Sequence, residues 1–156
     1  NRALLGVCYG HQLMAHALGG TVDYHPRGRE VGCHQVALAA AAKNDDFFAD
    51  MPEQFGAYLT HEQSVLVPPP GATVLARSEH DAHQILRYGP RALSVQFHPE
   101  FTAPLMAACI QRRAALLAAE GRDVAAMLSG IGPTVQSRRL LHTFVALAQY
   151  ESSIYS

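Results

Sequence analysis

A chain of 156 residues, 49% of them hydrophobic, is long enough for one globular core and too short for two independent domains. Its 12 Lys and Arg against 13 Asp and Glu leave no strong field to draw nucleic acid or an anionic membrane surface, so a small, roughly neutral substrate fits better. The three cysteines, Cys8, Cys33 and Cys109, form no C-x-x-C pair, which argues against a disulfide framework and a zinc ribbon and for a reducing cytoplasm.

In chain order, Arg2 to Val7 form a short apolar run that reaches Gly6-Val7-Cys8-Tyr9-Gly10 and passes into helical spacing at Leu13, Met14, Ala17 and Leu18, which predicts strand, sharp turn, helix. Gly19 and Gly20 close that helix, because glycine takes the left-handed conformation without steric penalty. Extended chain is expected at Thr21 to Tyr24, at Glu30 to Ala40 and at Gly56 to Thr60, with a short helix near Asp46 to Asp50. Pro68-Pro69-Pro70-Gly71 marks a loop, since three prolines lack the backbone donor that a strand or helix needs. Three strands follow: Thr73 to Ser78, then His83 to Tyr88 and Ala92 to Phe97 as antiparallel neighbours across Gly89-Pro90-Arg91. From Thr102 the pattern is helical, with Leu105, Cys109 and Leu116 beside Met106, Ile110 and Leu117 as its apolar stripe. Gly121 breaks it, and after Gly130-Ile131-Gly132-Pro133 a last helix carries Leu140, Leu141, Phe144, Val145 and Ala148 on one face. This order predicts an α/β sheet domain with an antiparallel portion between about residues 73 and 97. A chain that begins on a nucleophile strand is expected to lack strands that would precede it.

A cysteine at a strand-to-helix turn is exposed above the sheet edge, and the helix N-terminus favours its thiolate. In such a turn the residues two before and two after the nucleophile are expected to be small, as Gly6 and Gly10 are. The backbone N–H of Tyr9 then points where an oxyanion would form. On the pentapeptide alone, a buried structural cysteine fits as well. His98-Pro99-Glu100 tips the balance, because proline holds the preceding histidine extended and residues two apart in extended chain share a side. Glu100 can fix the tautomer of His98, whose other nitrogen takes the thiol proton and later protonates the leaving amine.

Gly6-Val7-Cys8-Tyr9-Gly10-His11-Gln12 and Gln96-Phe97-His98-Pro99-Glu100-Phe101 resemble the two signature motifs of the class I glutamine amidotransferases. Between them, residues 59–65, Leu-Thr-His-Glu-Gln-Ser-Val, resemble that family's glutamine-site loop, and Ala17-Leu18-Gly19-Gly20 the end of its nucleophile helix. Within the family, the chain is most similar to the stand-alone GMP synthase-like amidotransferases. The resemblance implies a three-layer, flavodoxin-like fold with a mostly parallel central sheet and a smaller antiparallel portion. Residues 1–156 would then be roughly the C-terminal two-thirds of the domain, its N-terminal strands missing. It implies a glutaminase: Cys8 attacks the side-chain amide of L-glutamine, giving a γ-glutamyl thioester and ammonia, and water releases glutamate. Gln12 matches a position that helps hold the substrate, and backbone groups of Glu62 and Gln63 match positions that receive its α-carboxylate. The glycine-rich loop that supplies a second oxyanion donor in the family is expected upstream of Asn1.

No G-x-x-x-x-G-K-[ST] loop is present, so ammonia would pass to an acceptor on a synthase subunit or in another active site. The same triad also serves a γ-glutamyl peptide hydrolase, and the fold without turnover would serve as a binding module. No cofactor is expected and no metal, because His80 and His83 beside Asp81 lack further ligands at zinc spacing. His61 reads equally as a packed loop histidine. Arg112 with Arg113, and Arg138 with Arg139, read as solvated helix faces. With no apolar run near the roughly 20 residues of a membrane span and no signal core, neither membrane insertion nor export is expected.

Overall fold

The computed structural model describes residues 2–154, with side chains up to residue 149. The leading run becomes β1 (Leu4–Val7), and the chain turns sharply at Cys8 into α1 (Tyr9–Ala17). β2 (Thr21–Tyr24) and β3 (Glu30–Leu38) follow, then short 3-10 turns at Ala40–Asn44 and Asp46–Phe48 where one short helix was expected. Next come β4 (Gln54–His61), β5 (Gln63–Val67), β6 (Thr73–Ser78), β7 (Ile85–Gly89) and β8 (Ala92–Val95). The helices α2 (Ala103–Arg112), α3 (Ala114–Ala119), α4 (Val124–Ser129) and α5 (Val135–Ile154) complete the chain. β5 had no counterpart among the sequence expectations. It exists by pairing antiparallel with β2 in a two-stranded sheet of its own.

The other six strands form one sheet in the order β1-β8-β7-β6-β3-β4. Among the described residues β1 runs parallel to β8, and the remaining four pairings are antiparallel, so the antiparallel portion extends beyond residues 73–97 to β3 and β4. Short links join β6 to β7 and β7 to β8, and a link of a few residues can only reverse the chain, whereas a parallel return needs a long crossover. The α/β class and the three layers stand. One face of the sheet packs Val36, Leu59, Leu75, Ile85, Leu93 and Phe97 under Leu140 and Phe144 of α5. The other face carries α1 at one end, over Val65 and Leu86, and α2 to α4 at the other, over Val31 and Tyr58. Each large apolar side chain fully withdrawn from water in these layers stabilises the fold by roughly 1.5–3 kcal/mol.

Two helical stripes differ from their sequence reading. In α2 and α3 the buried line is Met106, Ile110 and Leu117, while Leu105 and Leu116 are exposed. The run is also broken at Arg113, which leaves helical geometry (φ −104°, ψ 10°) between the two helices. In α1 the buried residues are His11, Gln12 and Ala15, and Leu13 and Leu18 face outward. Polar side chains face inward there because they meet polar partners: the His11 ring lies 2.7 Å from Ser94 Oγ, and Gln12 is bonded as described below.

Candidate active site

The register Val7↔Val95 brings the carboxyl ends of β1 and β8 to the same edge, and the Cys8 N–H extends the ladder by donating to Val95 C=O at 2.9 Å. Residues that follow the two strands therefore leave the sheet side by side, although Cys8 and His98 are far apart in sequence. The outer ends of parallel strands are where α/β sheets place ligands.

Cys8 has φ 50° and ψ −100°, and no other described non-glycine residue has positive φ. Such a conformation costs on the order of 1–3 kcal/mol and persists only where the surroundings enforce it. Here Gly6 is part of the enforcement. A Cβ at Gly6 would stand 2.6 Å from Met14 Sδ and 2.7 Å from the Gly10 carbonyl oxygen, so α1 folds back over β1 only because Gly6 has no side chain. Gly10 differs from the expectation: a Cβ there would meet nothing within 4 Å. Its α-carbon faces the open side of the turn, while its carbonyl packs against Gly6.

His98 Nδ1–H donates to Glu100 Oε1 at 2.6 Å, and the ring stacks on Phe101 with centroids 4.1 Å apart. Its backbone N–H donates to Tyr58 C=O at 2.9 Å, which ties this segment to β4. On the other side the ring faces Cys8, whose interaction with it is among the causes that raise its pKa. Burial opposes a charge on His98, but the interactions with Cys8 and Glu100, with their charges, outweigh it and raise its pKa to about 9. Burial likewise opposes charge on Glu100, and its bond with His98 more than offsets this, leaving the carboxyl below its ordinary range. His98 and Glu100 are thus joined directly, and Cys8 stands close enough to His98 to raise its pKa.

Cys8 also lines a cavity of about 410 Å³, together with Tyr9, Gln12, Glu62 and Gln63, the four residues expected at the substrate. Gln12 Nε2 donates to Gln63 C=O at 2.6 Å and to Gln96 Oε1 at 3.1 Å, and Gln96 Nε2 approaches Cys8 Sγ at 3.7 Å. Gln96 is fully buried. Its position in the His98 motif was the one sequence sign of it.

His61, left open between a packed and a functional residue, is both buried and part of the cavity wall. Its Nε2 lies 2.9 Å from Glu30 Oε2 and its Nδ1 2.8 Å from Gln63 C=O. Glu30 in turn accepts from Ser78 Oγ at 2.6 Å and Gln84 Nε2 at 2.8 Å, and these bonds offset the cost of burial so that its pKa is lowered. Among the described residues, Glu30, His61 and Asp81 are the group close enough to share a metal ion. Both His61 nitrogens are engaged and brace the loop after β4, while Asp81 Oδ2 is buried without a hydrogen-bond partner. His80 and His83 bond to the Gly28 and Val65 carbonyls and hold loops.

Arg113 departs from expectation most. It lines the cavity beside Cys8, as does Arg29, and only Arg112 of its pair is exposed. Arg138 and Arg139 are exposed as expected, with Arg138 donating to Phe101 C=O at 3.1 Å and Arg139 near Asp50.

Residues 1–114 match the family described as glutamine amidotransferase class-I. The chain belongs to that family. It is 30% identical over 113 residues to gamma-glutamyl peptidase 5 of Arabidopsis thaliana, covering 71% of this chain and 45% of that protein. It is 38% identical over 101 residues to a glutamine-hydrolyzing GMP synthase subunit of Ignicoccus hospitalis, covering 64% and 51%. The solved structure of a glutamine amidotransferase from Thermotoga maritima superimposes with a TM-score of 0.70 at 26% identity, over 92% of this chain and 61% of that one. The chain thus spans less than two-thirds of each of these relatives. No helix among the described residues is long and apolar enough to cross a membrane.

Proposed function

We propose that this amidotransferase domain hydrolyses the side-chain amide of L-glutamine, with Cys8 as nucleophile, His98 as proton carrier and Glu100 as its orienter. The observation that carries the reading is the placement of Cys8 and the hydrogen-bonded pair His98–Glu100 side by side after two parallel strands. Cys8 Sγ attacks the amide carbon, and the oxygen that gains charge lies against the Tyr9 N–H, which the first turn of a helix leaves without an acceptor. An imidazole whose pKa is raised to about 9 is charged at neutral pH, the setting in which a neighbouring cysteine works as thiolate. His98 then gives its proton to the nitrogen as the C–N bond breaks, and ammonia leaves. Water, deprotonated by His98, resolves the thioester to glutamate and returns the thiol.

Gln12, Glu62 and Gln63 line the cavity that the glutamyl group would occupy, and backbone N–H groups of Glu62 and Gln63 would receive its α-carboxylate. Ammonia would pass to an acceptor on a partner synthase chain in a cytoplasmic setting, a division of labour consistent with the Ignicoccus relative being one subunit of a GMP synthase. A second reading, hydrolysis of γ-glutamyl peptides by the same triad, is favoured by the gamma-glutamyl peptidase relative. Comparing turnover of L-glutamine with that of γ-glutamyl dipeptides separates the two, and a strong preference for dipeptides selects the second. A diazo-ketone analogue of glutamine is expected to add one covalent mass to the protein and none to Cys8→Ala. Absence of any adduct on the wild-type protein would leave only a catalytically silent module.

A further inference from the structure

Two arginines line the cavity beside Cys8, and they are not equivalent. Arg29 is held within the protein: it pairs with Glu62, and its Nε donates to both carboxylate oxygens of Glu120, at 2.8 and 3.0 Å. Arg113 stands half-buried at the break between α2 and α3, and among the described residues its guanidinium has neither a hydrogen bond nor an ion pair. A half-buried guanidinium facing a cavity presents a planar fork of donors that matches a carboxylate. The cavity therefore carries an unmatched positive charge on the wall that Arg113 forms.

We propose that Arg113 is a specificity-determining residue that pairs with the α-carboxylate of the substrate's γ-glutamyl group, restricting the site to γ-glutamyl amides whose α-carboxylate is free. This rests on the hydrolytic reading above for the identity of the substrate. The glutamyl side is favoured by the lining: Arg113 shares its cavity wall with Gln12, Glu62 and Gln63, the residues placed at the glutamyl group above.

Binding can be measured apart from turnover by titration calorimetry on Cys8→Ala, using L-glutamine and its analogue whose α-carboxylate is replaced by a carboxamide. With Arg113 present, L-glutamine is expected to bind about tenfold or more tightly than the carboxamide, as a charged hydrogen-bonded pair warrants. Arg113→Gln in the same background should bring the two affinities together, and Arg113→Lys should keep part of the difference. In the enzyme with Cys8 intact, Arg113→Gln should raise KM for L-glutamine with kcat nearly held. A preference that survives Arg113→Gln undiminished, an equal loss for both ligands, or no binding of L-glutamine with Arg113 in place overturns the proposal. Failure of the hydrolytic reading is distinct: the binding preference would remain while the protein with Cys8 turned over no γ-glutamyl amide.

Discussion

At the scale of single residues, His98 is governed by opposing forces whose balance can be tested. Burial lowers its pKa, and the partners Cys8 and Glu100 raise it to about 9. A histidine that holds its proton more tightly when folded stabilises the native state in full below its ordinary value near 6.5. That contribution is lost as pH climbs through about 9. Glu100 has the opposite sign: its pKa is lowered, so its contribution is present above the ordinary carboxylate value and is lost as pH falls through the folded one. Glu100→Gln removes the charge that faces the ring. The His98 titration midpoint, followed by NMR of the ring, is expected to fall toward 6.5, and kcat to drop by roughly 10²–10⁴-fold. A midpoint that stays where it is would show that Glu100 does not set the charge of His98. The triad was legible in the sequence because proline fixes the spacing of His98 and Glu100 locally. The contacts of Gln96 were marked only by its place in the His98 motif, and nothing near Arg113 in the chain says that it lines a cavity with a cysteine coded far upstream.

At the scale of elements, the turn from β1 into α1 depends on one glycine more than the other. Gly6→Ala would push a methyl group into Met14 Sδ and the Gly10 carbonyl, and backbone cannot yield as a side chain can. Overpacking of this kind costs roughly 1–3 kcal/mol. Gly10→Ala meets open space and lies within α1, where alanine is favoured over glycine by up to about 1 kcal/mol. Denaturant midpoints should therefore fall for Gly6→Ala and hold or rise for Gly10→Ala; equal losses would mean that the turn is not packed as described. The strand-turn-helix was readable because its periodicity and its glycines are local. β5 was missed because five residues between a loop and three prolines become a strand only by pairing with β2. The break at Arg113 was missed for a related reason: the alanines and leucines around it favour continuous helix, and packing against β3 and α4 overrides that preference.

At the scale of the whole molecule, His11 couples the fold to acid. It is fully buried in α1 against Ser94, and burial lowers its pKa to about 3, interactions with the His83 backbone and Ser94 offsetting only part of that cost. Here the unfolded chain binds the proton more readily. Stability should fall by about 1.4 kcal/mol per pH unit from this group as pH drops from 6.5 toward about 3. His11→Gln should flatten the slope of unfolding free energy against pH over that window, whatever it does to stability at neutral pH. An unchanged slope would place the acid sensitivity elsewhere, with the Glu30 network as the next group to test, since its lowered pKa gives a loss at lower pH.

The sequence by itself determined the class of fold and the strand-turn-helix at Cys8, and it singled out the proposed triad and substrate residues, because each follows from local spacing or from motifs that stay together along the chain. The tertiary structure decided the rest. It made the sheet of this chain largely antiparallel, placed polar residues of α1 inside, joined Gln12, Gln96 and Cys8 by hydrogen bonds, and brought Arg113 to the cavity. These depend on strand register and helix packing, which set distances between residues far apart in sequence and leave no local periodicity to read.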